Sequence, residues 1–355
     1  MEKHNRRSFL CKLAAVPAIA VTGSLAPFKL FANPNSSVKN TSAMSNSDQG
    51  YIPSYVALQQ SGVLKERGDV LFDEMRHCRL CPRNCETDRI SGKRGDCRAN
   101  ADLEISSASP HFGEERELVG QNGSGTVFFT HCSMECVFCI NYEVSQMGHG
   151  QKYSIRDLSN MMLLLQRHGC HNINLVSPTH YLPHILLALD RASAAGLRLP
   201  VAYNTSGWEK TEMLEFLDGV VDIYLTDFKY ADHDAAATYS PGSGNYPDIA
   251  QKALLEMHRQ TGVAKPDPKT NLIYRGLMIR HLVMPGNVAR TDRVLRWIAA
   301  NLPDDTYVNI MSQYTPMHKA HDFPEISRRI NRSEYNNAVT IARNAGLTNL
   351  RLQMR

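Results

Sequence analysis

Three cysteines lie close together in a spacing suited to binding a metal cluster. Cys132, Cys136 and Cys139 immediately follow a short apolar run, Thr126–Thr130, that predicts a strand. Iron–sulfur clusters are usually held by four cysteines, and no fourth is near, so one iron would stay open for a small molecule. The alternatives are zinc, which normally needs a fourth ligand, and structural thiols. The position and spacing favour an iron–sulfur cluster.

The spacing of these cysteines resembles the signature of radical S-adenosylmethionine (SAM) enzymes. The surrounding residues are similar to the branch that includes pyruvate formate-lyase activating enzymes and uncharacterised iron–sulfur relatives. The similarity extends from about Cys78 to the C-terminus. The segments that carry it are Pro110–Glu115, Gly123–Thr126, Asn141–Glu143, Asn172–His180, Tyr203–Gly207, Asp222–Lys229 and Arg280–Val283.

The resemblance implies a [4Fe-4S] cluster on the three cysteines, with SAM chelated at the open iron. Reductive cleavage of SAM would give a 5′-deoxyadenosyl radical that abstracts hydrogen from a substrate. Phe138 matches an aromatic residue common in the signature and would lie near the adenine. Where related activating enzymes carry Gly-Gly-Glu after the second strand, this chain has Ser177–His180. Thr179 and His180 offer polar groups there, but the segment contains no carboxylate.

Polar residues also end the later strands, where barrels and open α/β sheets place their ligands. Asn204 and Ser206 share a face of the third strand and are predicted to contact SAM. Asp227 and Lys229 share a face of the fourth strand and either line the site or form a structural pair. Arg280 lies on the fifth strand and is a candidate for SAM contact. Its neighbour His281 faces the opposite side, so at most one of the two lines the site.

A second group of cysteines precedes the first. Cys78, Cys81, Cys85 and Cys97 lie in a segment whose proline and glycines allow tight turns. Four thiolates predict a second metal site, occupied by zinc or a second iron–sulfur cluster, and in an exported protein they could instead form disulfides. Such a site would relay electrons or stabilise a small N-terminal module.

Apolar runs bounded by turn residues alternate with amphipathic stretches after residue 123. The predicted strands are Thr126–Thr130, Ile173–Ser177, Pro200–Thr205, Val221–Asp227, Leu277–Met284 and Tyr307–Ser312, with an edge strand at Asn349–Gln353. The predicted helices are Ser154–His168, Leu182–Ala195, Lys210–Leu217, Ile249–Thr261, Thr291–Asn301 and about Ser333–Ala345. Six strand–helix repeats predict an α/β fold, an open, partial (β/α)6 barrel of the radical SAM type with parallel strands.

The chain is predicted to have four segments. Residues 1–32 contain a twin-arginine pattern, Arg6-Arg7, followed by an apolar stretch too short for a membrane-spanning helix. Residues 33–50 are rich in Ser and Asn and predict a flexible linker. Residues 51–122 form the cysteine-rich module and residues 123–355 the barrel. This pattern predicts twin-arginine export, to the periplasm or a membrane tether, with a cytoplasmic location as the alternative.

Charge gives little information about partners. The formal net charge is +4, and without the five basic residues and one acidic residue of positions 1–32 the chain has 34 basic and 34 acidic residues. A near-neutral body gives no reason to expect nucleic acid.

Three functions are compatible with the sequence. The first, by resemblance, is activation of a partner protein as a glycyl-radical enzyme, with flavodoxin or ferredoxin as reductant. The others are radical modification of a small molecule or peptide and non-catalytic electron transfer.

Overall fold

Parallel strands form the centre of the described structure. The computed structural model describes residues 50–353, and these belong to one compact unit. The sheet has the order β3-β1-β2-β4-β5-β6-β7-β8-β9. Its strands are β1 (Leu103–His111), β2 (Ser124–Phe129), β3 (Gln151–Tyr153), β4 (Ile173–Val176), β5 (Val201–Thr205), β6 (Ile223–Asp227), β7 (Gly276–Leu282), β8 (Tyr307–Met311) and β9 (Leu350–Leu352).

Helices connect the parallel strands. They are α1 (Tyr55–Gln60), α2 (Val63–Asp73), α3 (Arg116–Val119), α4 (Tyr142–Ser145), α5 (Ile155–Arg167), α6 (Leu182–Ala194), α7 (Thr211–Glu215), α8 (His233–Tyr239), α9 (Tyr246–Thr261), α10 (Thr291–Asn301) and α11 (Arg332–Asn344). Ser154 and Asp157 form a capping box at the start of α5, which confirms the boundary expected from their spacing.

The predicted strands are all present, and β2 with β4 to β9 pair in parallel. The antiparallel strands β1 and β3 were not predicted, because β1 is polar along much of its length and β3 has three residues. Since β1 pairs with β2, the predicted boundary between residues 122 and 123 falls between two paired strands. The edge strands β3 and β9 do not pair with each other, so the described sheet is open, and its barrel form stays a prediction.

The two faces of the sheet have different environments. Tyr203 and Thr205 on β5 face the layer of helices, whereas Ala202 and Asn204 face the opposite side. On that opposite side a small apolar cluster lies below a polar layer at the carboxyl ends of the strands. Because parallel strands end at the same edge, this polar layer collects side chains from distant parts of the sequence.

Several predictions concern residues that the structure does not describe. The twin-arginine segment and the linker, apart from Gly50, lie outside residues 50–353. Between those limits, no helix combines the length and apolarity needed to cross a bilayer.

Candidate functional site

The three cysteines of the signature lie on the loop that follows β2. Cys136 is buried, and Cys132 and Cys139 are partly buried. The backbone N–H of Met134 donates to the Cys132 sulfur at 3.5 Å, and the Ser240 hydroxyl donates to the Cys136 sulfur at 3.0 Å. The loop is therefore folded so that its sulfurs lie near hydrogen-bond donors, which favour thiolates.

The electrostatic environment couples these sulfurs to one another and to a lysine. Burial, followed by the proximity of Cys136, raises the pKa of Cys132 to about 12. Burial also raises the pKa of Cys136, whereas the ammonium of Lys229 opposes that rise. The raised pKa values keep the free thiols of Cys132 and Cys136 neutral at pH 7, so metal binding would release their protons.

The donor set fits an iron–sulfur cubane better than a single ion. Between residues 50 and 353, no three His, Cys, Asp or Glu side chains are arranged to hold one metal ion as they stand. A cubane binds each cysteine at a different iron, so its ligands surround a volume rather than a point. Three soft thiolates on one loop, beside a buried cation, provide suitable ligands for such a cluster.

A polar layer lies on the sheet face at the ends of β5, β6 and β7. The Arg280 guanidinium contacts the Glu114 carboxylate at 3.0 Å, the Asp227 carboxylate at 3.2 Å and the Asn204 amide oxygen at 2.6 Å. The Asn204 amide also donates to Glu114 at 3.4 Å. Arg280 therefore contacts two other predicted site residues, Asn204 and Asp227. It also contacts Glu114, for which the sequence predicted no role.

Lys229 links this polar layer to the cysteine loop. Its ammonium lies 2.6 Å from the Asp227 carboxylate, and it influences the Cys136 sulfur electrostatically. Burial disfavours ionised Asp227, but Lys229 and Arg280 outweigh that effect and hold its pKa below the usual range. Asp227 and Lys229 form an ion pair, which was one of the two roles that the sequence allowed. The pair lies next to the cysteine loop.

Phe138 lies inside the loop and is buried among aromatic rings. Its ring centroid is 5.8 Å from that of Tyr314 and 6.5 Å from that of Tyr230. These tilted and edge contacts fix the ring next to two of the candidate ligands.

Thr179 and His180 are held in other contacts. The Thr179 hydroxyl donates to the Glu209 carboxylate at 2.6 Å. The His180 ring is 2.7 Å from the Thr130 carbonyl and so donates through Nε2, and burial lowers its pKa to about 3. Neither side chain joins the Arg280 layer. Ser206 also lies outside that layer, since its hydroxyl accepts from the backbone N–H of Trp208 at 3.4 Å.

Glu209 is a buried carboxylate that the sequence pattern did not reveal. Its side chain accepts hydrogen bonds from Thr179 and from Thr205, both on the helix side of the sheet. Its second oxygen has no partner within the described residues, and burial raises the pKa of Glu209 to about 7. Glu209 therefore places a buried carboxylate next to Thr179, on the helix side of the sheet and outside the Arg280 layer.

Replacing Glu209 with Gln is expected to stabilise the protein above pH 7. Because the folded-state pKa exceeds the unfolded value of 4.5, the wild type loses stability relative to the variant as pH rises from about 4.5 to about 7. The gain is on the order of 3 kcal/mol at pH 8 and small at pH 4.5. Denaturant unfolding at both pH values, with the exposed Glu212→Gln as control, measures this difference. Equal gains at both pH values would contradict the assignment.

The second group of cysteines lies against the first loop. All four are free thiols, as are the other cysteines between residues 50 and 353. Arg83 donates to the Ser133 carbonyl at 2.9 Å, and Arg98 contacts the Glu135 carboxylate at 2.5 Å. Side chains next to the second group therefore hold the loop of the first group in place.

Comparison with known proteins gives one clear relative. The chain is 32% identical over 277 residues to "Uncharacterized protein MJ0674" of Methanocaldococcus jannaschii, covering 75% of this chain and 74% of the relative. No protein-family model matches the chain. A crystal structure of methylornithine synthase (PylB) aligns with a TM-score of 0.39 and 14% identity over 62% of this chain and 68% of that one. Structural similarity at this level supports no inference about the activity of this chain.

Proposed function

We propose that this chain, which belongs to the family of the Methanocaldococcus jannaschii protein MJ0674, is a radical SAM enzyme. The observation that carries the proposal is the loop after β2, where Cys132, Cys136 and Cys139 lie at the carboxyl edge of a parallel sheet. These three cysteines would hold a [4Fe-4S] cluster. Such a cluster, when bound and reduced, supplies an electron that cleaves SAM to a 5′-deoxyadenosyl radical.

The charges of the polar layer support binding of a cation beside the loop. Three carboxylates, Glu114, Glu115 and Asp227, lie near two cations, Arg280 and Lys229. One negative charge is therefore in excess. SAM carries a net positive charge from its sulfonium group, so the layer is complementary to it.

The side chains at this edge also limit access of water. Phe138 and its aromatic neighbours are buried beside the cysteines, and Asp227, Lys229 and Arg280 are mostly buried. A dry site strengthens each ionic contact and protects a reactive radical from solvent. The residues of the chain would thus orient SAM and exclude water, while the cofactors carry the redox chemistry.

For the substrate, we propose hydrogen abstraction from a partner protein, as in glycyl-radical activation, with flavodoxin or ferredoxin as reductant. Besides the resemblance of the sequence, two exposed apolar side chains on the segment after Cys139 support a protein substrate. Ile140 is 63% exposed and Met147 is 60% exposed. A gene for a glycyl-radical enzyme beside this one would favour the partner protein over a small molecule or peptide.

Anaerobic reconstitution tests the central proposal. The full chain is loaded with iron and sulfide, reduced with dithionite and mixed with SAM, and 5′-deoxyadenosine is quantified. Its release supports catalysis, whereas an intact cluster that yields none points to the electron carrier.

Export is proposed on the basis of the sequence of residues 1–49. A fusion of these residues to a reporter that folds only in the cytoplasm is expected to reach the periplasm through the twin-arginine route. Changing Arg6 and Arg7 together to Lys is expected to keep the reporter inside, because the pair is read by the export receptor. Cell fractionation measures both. A wild-type fusion retained in the cytoplasm would refute export.

A further inference from the structure

The four cysteines of the second group lie close to one another, since Cys78, Cys85 and Cys97 each act electrostatically on the Cys81 sulfur. Cys78, Cys81 and Cys97 are buried and Cys85 is partly buried. A Cβ atom added at Gly95 would lie 3.1 Å from the Cys85 sulfur and 3.8 Å from the Cys97 sulfur. Glycine at this position therefore keeps the space beside two of the sulfurs free.

The backbone around these cysteines donates hydrogen bonds to sulfur. Cys81, Cys85 and Cys97 each accept from the backbone N–H of the residue two positions later. Glu86 and Arg98, which directly follow two of the cysteines, have φ values of 52° and 67°. Residues other than glycine rarely adopt this conformation, so the local fold accepts strain while its N–H groups point at the sulfurs. Donors directed at sulfur favour the thiolate over the thiol.

A fully buried arginine lies beside the same group. Arg89 is 0% exposed and forms no ion pair with a carboxylate within residues 50–353. Its guanidinium donates to the Asn100 carbonyl at 2.7 Å, to the His180 carbonyl at 2.9 Å and to the Cys78 sulfur at 3.6 Å. A buried cation normally requires a nearby anion. The anions available to Arg89 are the cysteine sulfurs.

We propose that Cys78, Cys81, Cys85 and Cys97 bind one iron–sulfur cluster as four thiolates, with Arg89 as the neutralising cation. Within residues 50–353 no three such side chains are arranged around a single ion, which favours a cluster over zinc. A cluster bound by four cysteines has a net negative charge, which a buried guanidinium complements. The partners of Arg89 connect this centre to the first loop, because the His180 ring donates to the Thr130 carbonyl, two residues before Cys132. The proposal is independent of SAM chemistry.

Metal analysis of the full chain with Cys132, Cys136 and Cys139 changed to Ala tests the site by itself. The protein purified without oxygen is expected to retain about two or about four irons with sulfide per chain. About one zinc and no iron would overturn the proposal. Adding Cys78→Ser and Cys97→Ser is expected to remove the metal. Absence of any metal before that addition would also overturn the proposal, whether or not the wild type cleaves SAM.

Arg89→Met is expected to change the melting temperature in opposite directions in two proteins: the one with all four cysteines and the Cys78→Ser, Cys97→Ser variant. With the four cysteines intact, the variant loses metal and its melting temperature falls, because the thiolates lose their cation. With Cys78→Ser and Cys97→Ser, the same change raises the melting temperature, because it removes an uncompensated buried charge. Arg76→Met, at an exposed surface pair, is the matched control, and Arg89→Lys is expected to retain metal. A change of the same sign in both backgrounds would overturn the role of Arg89.

Discussion

Cys136→Ala is expected to reduce 5′-deoxyadenosine release on the order of 1000-fold or more, because the cluster that would supply the electron for SAM cleavage loses one of its three protein ligands. Cys136 is the most buried of the three proposed ligands, and its sulfur accepts a hydrogen bond from the Ser240 hydroxyl at 3.0 Å. Alanine removes the sulfur and leaves two ligands on the loop. Iron content and the SAM-dependent electron paramagnetic resonance signal of the reduced protein are measured alongside product formation.

Cys170→Ala is the matched control for this experiment. Cys170 is also buried, but it precedes β4 at the opposite end from the loop, so its removal is expected to leave cluster signal and product unchanged. If Cys136→Ala kept both the signal and product release, the three-cysteine cluster would be the wrong assignment. If the two cysteine variants lost activity equally, the loss would reflect damage to the fold.

Arg280→Met is expected to lower the free energy of unfolding by about 3 to 5 kcal/mol, because it leaves Glu114 and Asp227 mostly buried without their shared cation. Product release is expected to fall as well, since the layer that faces the loop would be rearranged. Denaturant unfolding and the 5′-deoxyadenosine assay measure the two effects. Arg296→Met, on the exposed side of α10, is expected to change neither.

A second substitution distinguishes charge from packing at Arg280. Adding Glu114→Gln to Arg280→Met removes the carboxylate whose ion pair within the described residues is with Arg280, so the double variant is expected to recover part of the lost stability. If the two losses simply added, packing of the long side chain would explain the effect of Arg280→Met, and the electrostatic account of the layer would fail.

Residues close in the chain were assigned from the sequence because their physical relations are local. The period of apolar residues and the bounding turns predicted the parallel strands, and Ser154 with Asp157 predicted the start of α5. The spacing of Cys132, Cys136 and Cys139 placed three thiols on one loop, since eight consecutive residues cannot separate far in space. Each of these patterns depends only on a repeat or a short separation along the chain, so the sequence is enough to detect it.

Residues distant in the chain required the folded structure. Glu209 lies thirty positions from the Thr179 hydroxyl that it accepts from, and Glu114 is 166 positions from Arg280. Arg89 is adjacent to the cysteines in sequence, but its burial without a carboxylate partner is visible only after folding. In the same way, Thr179 and His180 follow a strand as predicted, yet their hydrogen bonds face away from the Arg280 layer.

The sequence by itself thus determined the ligand types, their loop and the alternation of strands and helices, because each depends on spacing along the chain. The tertiary structure alone decided which polar residues meet, which carboxylates are buried and which cation faces the second group of cysteines. The physical reason is that parallel strands bring the ends of many separate segments to one edge, where burial and charge depend on neighbours far away in the chain.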